Sequence, residues 1–190
     1  MTQQEVTQIV KEILALYEQY GDADYIGEPV SQLEHMCQCA QLAEEEGYDN
    51  EVILAAFMHD IGHLCGNLLS ASEMNGFGIV DHEKLGEVYI RSKGFSEKVA
   101  KLVGSHVASK RYLTFKYPEY YAKLSPASKE TLVMQGGMMT VEEAEAFEQE
   151  ELFHLYVTLR RWDEEAKREN VPLVSLQHYE RIMEEHLLKQ

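Results

Sequence analysis

The run Val52-Ile53-Leu54-Ala55-Ala56-Phe57-Met58-His59-Asp60-Ile61-Gly62-His63 is almost wholly apolar until it meets an imidazole beside a carboxylate. It reads as a helix from Glu51 to about Leu64, with Asn50 as its cap. A His and an Asp in such a run are costly to bury unless something binds them. A metal ion would do so, and the two oxygens of Asp60 could serve two metals while His59 holds one. A hydrogen-bonded His–Asp pair at a helix end would satisfy the same groups. The dipeptide alone leaves both readings open.

Working outward, helical periodicity recurs on both sides. Val6, Val10, Ile13, Leu14 and Tyr17 mark a first helix over 3–20. A second runs from about Ser31 to Glu46 and stops at Gly47. After the HD run comes a loop from Cys65 to Asp81, long enough to expect a function for it. Asp81 is placed to cap a helix from His82 to Lys93, and Ser96 one from Glu97 to about Arg111. Ser125-Pro126 suits an N-cap and first helical position, for a helix through Met134 that Gly136-Gly137 ends. Thr140 and Glu143 form a capping box. Helices over 141–150 and 152–168 follow, and Ser175 opens a last one to about Leu188. No alternating β pattern and no linker appears. The expected fold is all-α, a compact multi-helix bundle forming one domain over residues 1–190.

The chain has 190 residues, 45% of them apolar, and a formal charge of −16. That charge argues against nucleic acid or an anionic membrane as the main partner. No apolar run approaches a membrane span and no signal peptide is visible, so a cytoplasmic protein is expected. Cys37, Cys39 and Cys65 read as buried free thiols, not a disulfide framework.

Four histidines fall on core helices or their first turns: His35, His59, His82 and His106. Two carboxylates, Asp60 and Asp163, join them. Each alone reads more readily as a satisfied buried polar residue or a surface group. Together they are enough ligands for two metals. His63 shares a helix face with His59, and Lys110 one with His106. His63 could be a further ligand or a substrate contact. Lys110 could meet a phosphate or phosphonate oxygen, or be an ordinary surface lysine. The stretch 106–129 is locally basic, with Lys110, Arg111, Lys116, Lys123 and Lys129 against Glu119 alone. Arg160 and Arg161 stand just before Asp163. An anion pocket and plain surface charge are both readings of these seven.

The ordered set His35…His59-Asp60…His82…His106…Asp163 resembles the HD-domain superfamily, most of whose members are metal-dependent phosphohydrolases. Further stretches narrow the resemblance: Asp24-Tyr25-Ile26-Gly27-Glu28, Gln32-Leu33-Glu34-His35, Gly76-Phe77-Gly78, His106-Val107-Ala108-Ser109-Lys110-Arg111-Tyr112-Leu113, Gln135-Gly136-Gly137 and Arg161-Trp162-Asp163. These are similar to the mixed-valent diiron oxygenases of PhnZ and TmpB type, which cleave carbon–phosphorus bonds. The resemblance implies two iron ions in an Fe(II)/Fe(III) pair. His35, His59 and Asp163 would hold one, His82 and His106 the other, and Asp60 would bridge them. Tyr25 would be a mobile iron-side tyrosine and Glu28 the partner of a substrate nitrogen. His63 and Lys110 would contact substrate, with Ser128, Gln135 and Arg160 near the phosphonate.

The implied reaction uses O2 on a small-molecule hydroxyphosphonate. The substrate would be (R)-1-hydroxy-2-aminoethylphosphonate or its N-trimethylammonio analogue. The products would be phosphate with glycine or glycine betaine, the substrate supplying the electrons. An HD phosphohydrolase acting on a phosphomonoester or nucleotide would use the same ligands. Tyr25 and Glu28 favour the oxygenase, since hydrolysis requires neither. A non-catalytic HD-like module would be expected to have lost part of the ligand set.

Overall fold

A computed structural model describes residues 1–25, 27–69 and 79–190. Ile26 and the Gly76-Phe77-Gly78 stretch lie outside the described residues. Among these, twelve α-helices and no strand are formed. They are α1 (Gln3–Tyr20), α2 (Gln32–Glu45), α3 (Asn50–Met58), α4 (Ile61–Leu69), α5 (His82–Ser92) and α6 (Glu97–Val103). There follow α7 (His106–Lys116), α8 (Pro118–Lys123), α9 (Pro126–Met134), α10 (Val141–Glu148), α11 (Phe153–Glu165) and α12 (Leu176–Leu187). The all-α bundle expected from the sequence is what forms. No described helix is long and apolar enough to cross a membrane.

Helix α3 is the centre. Every residue from Val52 to Met58 is buried, as a helix apolar on all sides requires. Helices α2, α6, α11 and α12 pack round it. The Phe57 ring stacks on Tyr17 at 4.5 Å and on Tyr179 at 4.1 Å, joining α1 and α12 to the core. Cys37, Cys39 and Cys65 are buried free thiols, as expected.

Two expected helices are broken, each at a histidine. The helix expected over 51–64 ends at Met58, and α4 starts afresh at Ile61. The His59 ring lodges on the Ala56 carbonyl at 2.8 Å, the acceptor a continuing helix would offer to the Asp60 amide. The helix expected over 97–111 breaks at Gly104-Ser105, and the His106 ring takes the Val103 carbonyl at 3.1 Å. In both places a candidate histidine stands at the break, His59 at the end of α3 and His106 at the start of α7.

Some ends differ in detail. Asp49, not Asn50, caps α3 by accepting from the Val52 amide at 3.1 Å. Both residue types cap well, so sequence could not choose. Asp81 precedes α5 in a left-handed conformation (φ 54°) and makes no side-chain cap. Helix α11 stops at Glu165, short of 168. Helix α8 was not foreseen; Pro118 occupies its first turn. Ser31 and Glu34 form a full capping box, which fixes the first turns of α2 where His35 stands.

Candidate metal centre and its cavity

Four helix beginnings or ends deliver the imidazoles to one point. His35 comes from α2, His59 from the end of α3, His82 from the start of α5 and His106 from the start of α7. All are buried. Gly62 lets α5 come close: a Cβ there would run into the His82 backbone, its carbonyl carbon lying 2.7 Å away.

Every one of the four rings uses Nδ1 to donate to a backbone carbonyl. The acceptors are Ala166 for His35 (2.9 Å), Ala56 for His59 (2.8 Å), Ile79 for His82 (3.1 Å) and Val103 for His106 (3.1 Å). In a neutral ring the other nitrogen is then a lone pair. His35 Nε2 faces His59 Nε2 at 3.0 Å, and His82 Nε2 faces His106 Nε2 at 2.8 Å. Two lone pairs cannot hydrogen-bond to each other, so each pair calls for a cation between its nitrogens. The carbonyl behind each ring is the usual support of a metal-bound imidazole.

The carboxylates fit the same reading. Asp60 Oδ2 lies 3.4 Å from His59 Nε2 and 3.6 Å from His35 Nε2. Its Oδ1 lies 3.2 Å from His106 Nε2 and 3.6 Å from His82 Nε2. One oxygen thus serves each histidine pair. Asp163 Oδ1 is 3.4 Å from His35 Nε2, buried, and has no hydrogen-bond partner. His35, His59 and Asp163 bring donor atoms within 4.8 Å of one another. Imidazole and carboxylate donors of this kind fit a metal site of intermediate hardness.

Charge follows burial and neighbours. Burial pushes the His106 imidazole down to about 4 and His82 well below its ordinary value, so both rings stay neutral. At His59 burial works the same way, but Asp60 outweighs it and draws a proton inward. A metal cation would take that proton's place. Burial also opposes charge on Asp60 and Asp163. His59 for the first and Arg160 for the second override it, and both remain ionised.

Asp60, His63 and His82 also come within 4.8 Å, so spacing alone leaves His63 a possible ligand. Its bonding argues otherwise. His63 Nδ1 accepts from the Ile79 amide at 3.2 Å, and the ring stacks on His82 at 3.9 Å. Burial holds it neutral, which leaves the proton on Nε2. That nitrogen carries the ring's donor hydrogen, and the ring lines the cavity described next.

One cavity opens from this centre. It is lined by Tyr25, Glu28, Gln32, Asp60, His63, His82, His106, Val107, Lys110, Ala127, Ser128, Thr131, Gln135, Arg160, Asp163 and Lys167. Its volume of about 70 Å³ is roughly that of five waters at about 10–15 Å³ each, room for a molecule of few heavy atoms. His35 and His59 stand just behind the lining; every other residue singled out as a site candidate lines it. Of the seven basic residues expected as pocket or surface, only Lys110 and Arg160 line it. Arg111, Lys116 and Arg161 pair outward with Glu143, Glu148 and Glu46.

Lys110 is buried and donates to Thr131 at 2.9 Å. Burial, with Arg160 nearby, pushes its amine down to about 7. Arg160 is tied to Asp163, Glu164 and the Tyr120 hydroxyl. Tyr25 stacks on His35 at 4.0 Å, and burial keeps its phenol protonated. The loop carrying Tyr25 and Glu28 turns at Gly27 (φ 80°), where a Cβ would press on Ala127 of α9 at 2.7 Å. Glu28 forms an ion pair with Lys167 at 3.1 Å.

Gln32, Val107, Ala127, Thr131 and Lys167 were not singled out from sequence. Thr131 stands three residues after Ser128 on α9, so helical spacing could have found it; Lys167 lies beyond the end of α11, where no such spacing applies.

The HD-domain family model matches residues 33–187. A protein of Acanthamoeba polyphaga mimivirus that carries no functional name is 44% identical over 184 residues, 97% of this chain and 84% of its own. The [1-hydroxy-2-(trimethylamino)ethyl]phosphonate dioxygenase (glycine-betaine-forming) of Leisingera caerulea is 35% identical, covering 94% of this chain and 92% of its own. The hydroxymethylphosphonate dioxygenase of Gimesia maris is 37% identical, with 90% and 84% covered. With its HD pair at the centre of two facing histidine pairs, the chain belongs to the HD-domain family, beside the HD-type phosphonate dioxygenases.

Proposed function

We propose that this protein is a diiron oxygenase that uses O2 to cleave the carbon–phosphorus bond of a small 1-hydroxyphosphonate. The observation that carries the reading is Asp60, which turns one oxygen to each of two histidine pairs whose lone pairs face inward. His35, His59 and Asp163 would hold one iron, His82 and His106 the other, with Asp60 bridging. A mixed Fe(II)/Fe(III) pair there would supply the dioxygen chemistry.

The chain's own residues then divide the substrate between them. Lys110, held by Thr131, would take the phosphonate with Ser128 and Gln135. Gln135 Oε1 is buried without a hydrogen-bond partner; with the amide turned end for end, its NH2 would face the phosphonate. His63, in the cavity wall, would contact the substrate. Arg160 lines the same end and anchors Asp163. Tyr25 covers the His35 side of the iron pair. Lys110 and Arg160 together give the dianionic phosphonate two buried cations.

Three substrates test the reading. Two are (R)-1-hydroxy-2-aminoethylphosphonate and its N-trimethylammonio analogue, yielding glycine or glycine betaine with phosphate. The third is hydroxymethylphosphonate, from the Gimesia relative's name. Anaerobically purified, iron-loaded protein would be mixed with each, with and without O2. Phosphate released only with O2 and iron supports the proposal. Release from a phosphomonoester that ignores O2 would instead favour a phosphohydrolase.

A further inference from the structure

An ammonium on a substrate needs a carboxylate or an aromatic face to receive it. Among the described residues, the carboxylates lining the cavity are Glu28, Asp60 and Asp163. Asp60 and Asp163 point at the histidine pairs. Glu28 is therefore the one of the three left to meet a cationic nitrogen, and it is already engaged. Lys167 Nζ lies 3.1 Å from its carboxylate, with both side chains 12% exposed. The same ammonium lies 5.9 Å from the centre of the Tyr25 ring. Both devices that could recognise a substrate ammonium thus already serve one from the chain itself.

Lys167 is held from a second side as well: it reaches Glu164 at 3.5 Å. Among the described residues, a second ammonium would meet the repulsion of Lys167 with Glu28 already paired.

Resting on the oxygenase reading, we infer that Lys167 is a specificity-determining residue that selects for a 1-hydroxyphosphonate without a cationic nitrogen. Glu28 then serves to hold Lys167 in place. The amine role that resemblance implied for Glu28 is, in this chain, filled from within. Hydroxymethylphosphonate is the simplest such substrate. Its oxidation by one O2 breaks the carbon–phosphorus bond and gives formate and phosphate.

The test compares wild type with Lys167→Met, Lys167→Gln and Lys167→Arg, each checked for native helicity and iron content. Anaerobic calorimetry of the iron-loaded proteins reads binding of hydroxymethylphosphonate and of the two nitrogen-bearing compounds. Phosphate, formate and glycine release in O2 reads turnover. Wild type and Lys167→Arg should favour hydroxymethylphosphonate at least tenfold. Lys167→Met and Lys167→Gln should shift the ratio toward the nitrogen-bearing compounds by at least tenfold. Equal or stronger binding of an aminated compound to wild type, with a ratio unmoved in both neutral variants, overturns the inference. Absence of O2-dependent phosphate release from all three compounds would sink the oxygenase reading instead, and the binding ratio would still judge Lys167.

Discussion

Replacing Lys110 by Met should make the protein more stable and its substrate binding worse. The amine sits in a buried wall of the cavity, and its ordinary value of 10.5 falls to about 7. The unfolded chain keeps that lysine charged up to 10.5, the folded chain only up to about 7. Between those values the unfolded state holds the extra proton, so stability rises with pH across the window. Below about 7 the penalty is fully present. At about 1.4 kcal/mol for each tenfold change in proton affinity it is roughly 4–5 kcal/mol. Met keeps much of the volume and removes the charge, but loses the Thr131 hydrogen bond, worth about 1 kcal/mol. The net gain at pH 6 is about 3–4 kcal/mol, fading to a loss of about 1 kcal/mol above pH 10.5. Urea unfolding of chelator-treated protein at a series of pH values reads this directly. The same variant gives up a charge-assisted contact to the phosphonate, worth about 1.5–3 kcal/mol. KM should rise about 10- to 150-fold, with kcat much less affected. A variant that is less stable at pH 6, or whose stability difference ignores pH, would refute the electrostatic account. An unchanged KM would remove Lys110 from the phosphonate subsite.

Metal content should follow the division of ligands. Asp60→Ala should lose both irons and all activity, whereas Asp163→Ala should retain the histidine pair of His82 and His106; elemental analysis after anaerobic loading distinguishes the two, and full iron in Asp60→Ala would refute the bridge. Gly62→Ala should force α4 away from the His82 backbone, costing about 1–3 kcal/mol in thermal unfolding and loosening the His82 side of the centre; an unchanged Tm and iron content would count against that close approach. Phe57→Ala should cost about 3–5 kcal/mol, since the ring is buried between Tyr17 and Tyr179. Thr131→Val should raise KM a few-fold through Lys110 while leaving iron content intact, which separates positioning from metal loss.

Much of the architecture could be read along the chain because its helices carry their own punctuation. Thr140 with Glu143 forms the capping box its spacing announces, and the helix expected from about Ser31 starts there, capped by Ser31 and Glu34. Gly47, Gly94, Gly136 and Gly137 take positive φ where helices end. The breaks at His59 and Gly104 were hidden for a physical reason. Apolar periodicity reports which face is buried, and that pattern runs straight through both. The interruption is made by a ring bonding to a carbonyl three residues back, which no periodicity records. The candidate ligands could be assembled because imidazole and carboxylate are rare among buried side chains. Lys167 was missed because its meaning lies in a partner 139 residues away. A lone lysine after a helix gives no sign of which carboxylate it will meet.

The four ring-to-carbonyl bonds differ in one respect. For His59, His82 and His106 the acceptor lies three residues earlier, so each ring's orientation belongs to its own turn. His35 instead leans on Ala166, at the end of α11 and 131 residues distant. Ala166 stands between Glu165 and Lys167, three residues after Asp163. One short piece of chain therefore aims one candidate ligand, His35, supplies another, Asp163, and carries the lysine that faces Glu28. A substitution at Lys167 is expected to turn the His35 ring as well, so under the oxygenase reading a change of specificity made there should register in the spectrum of the metal.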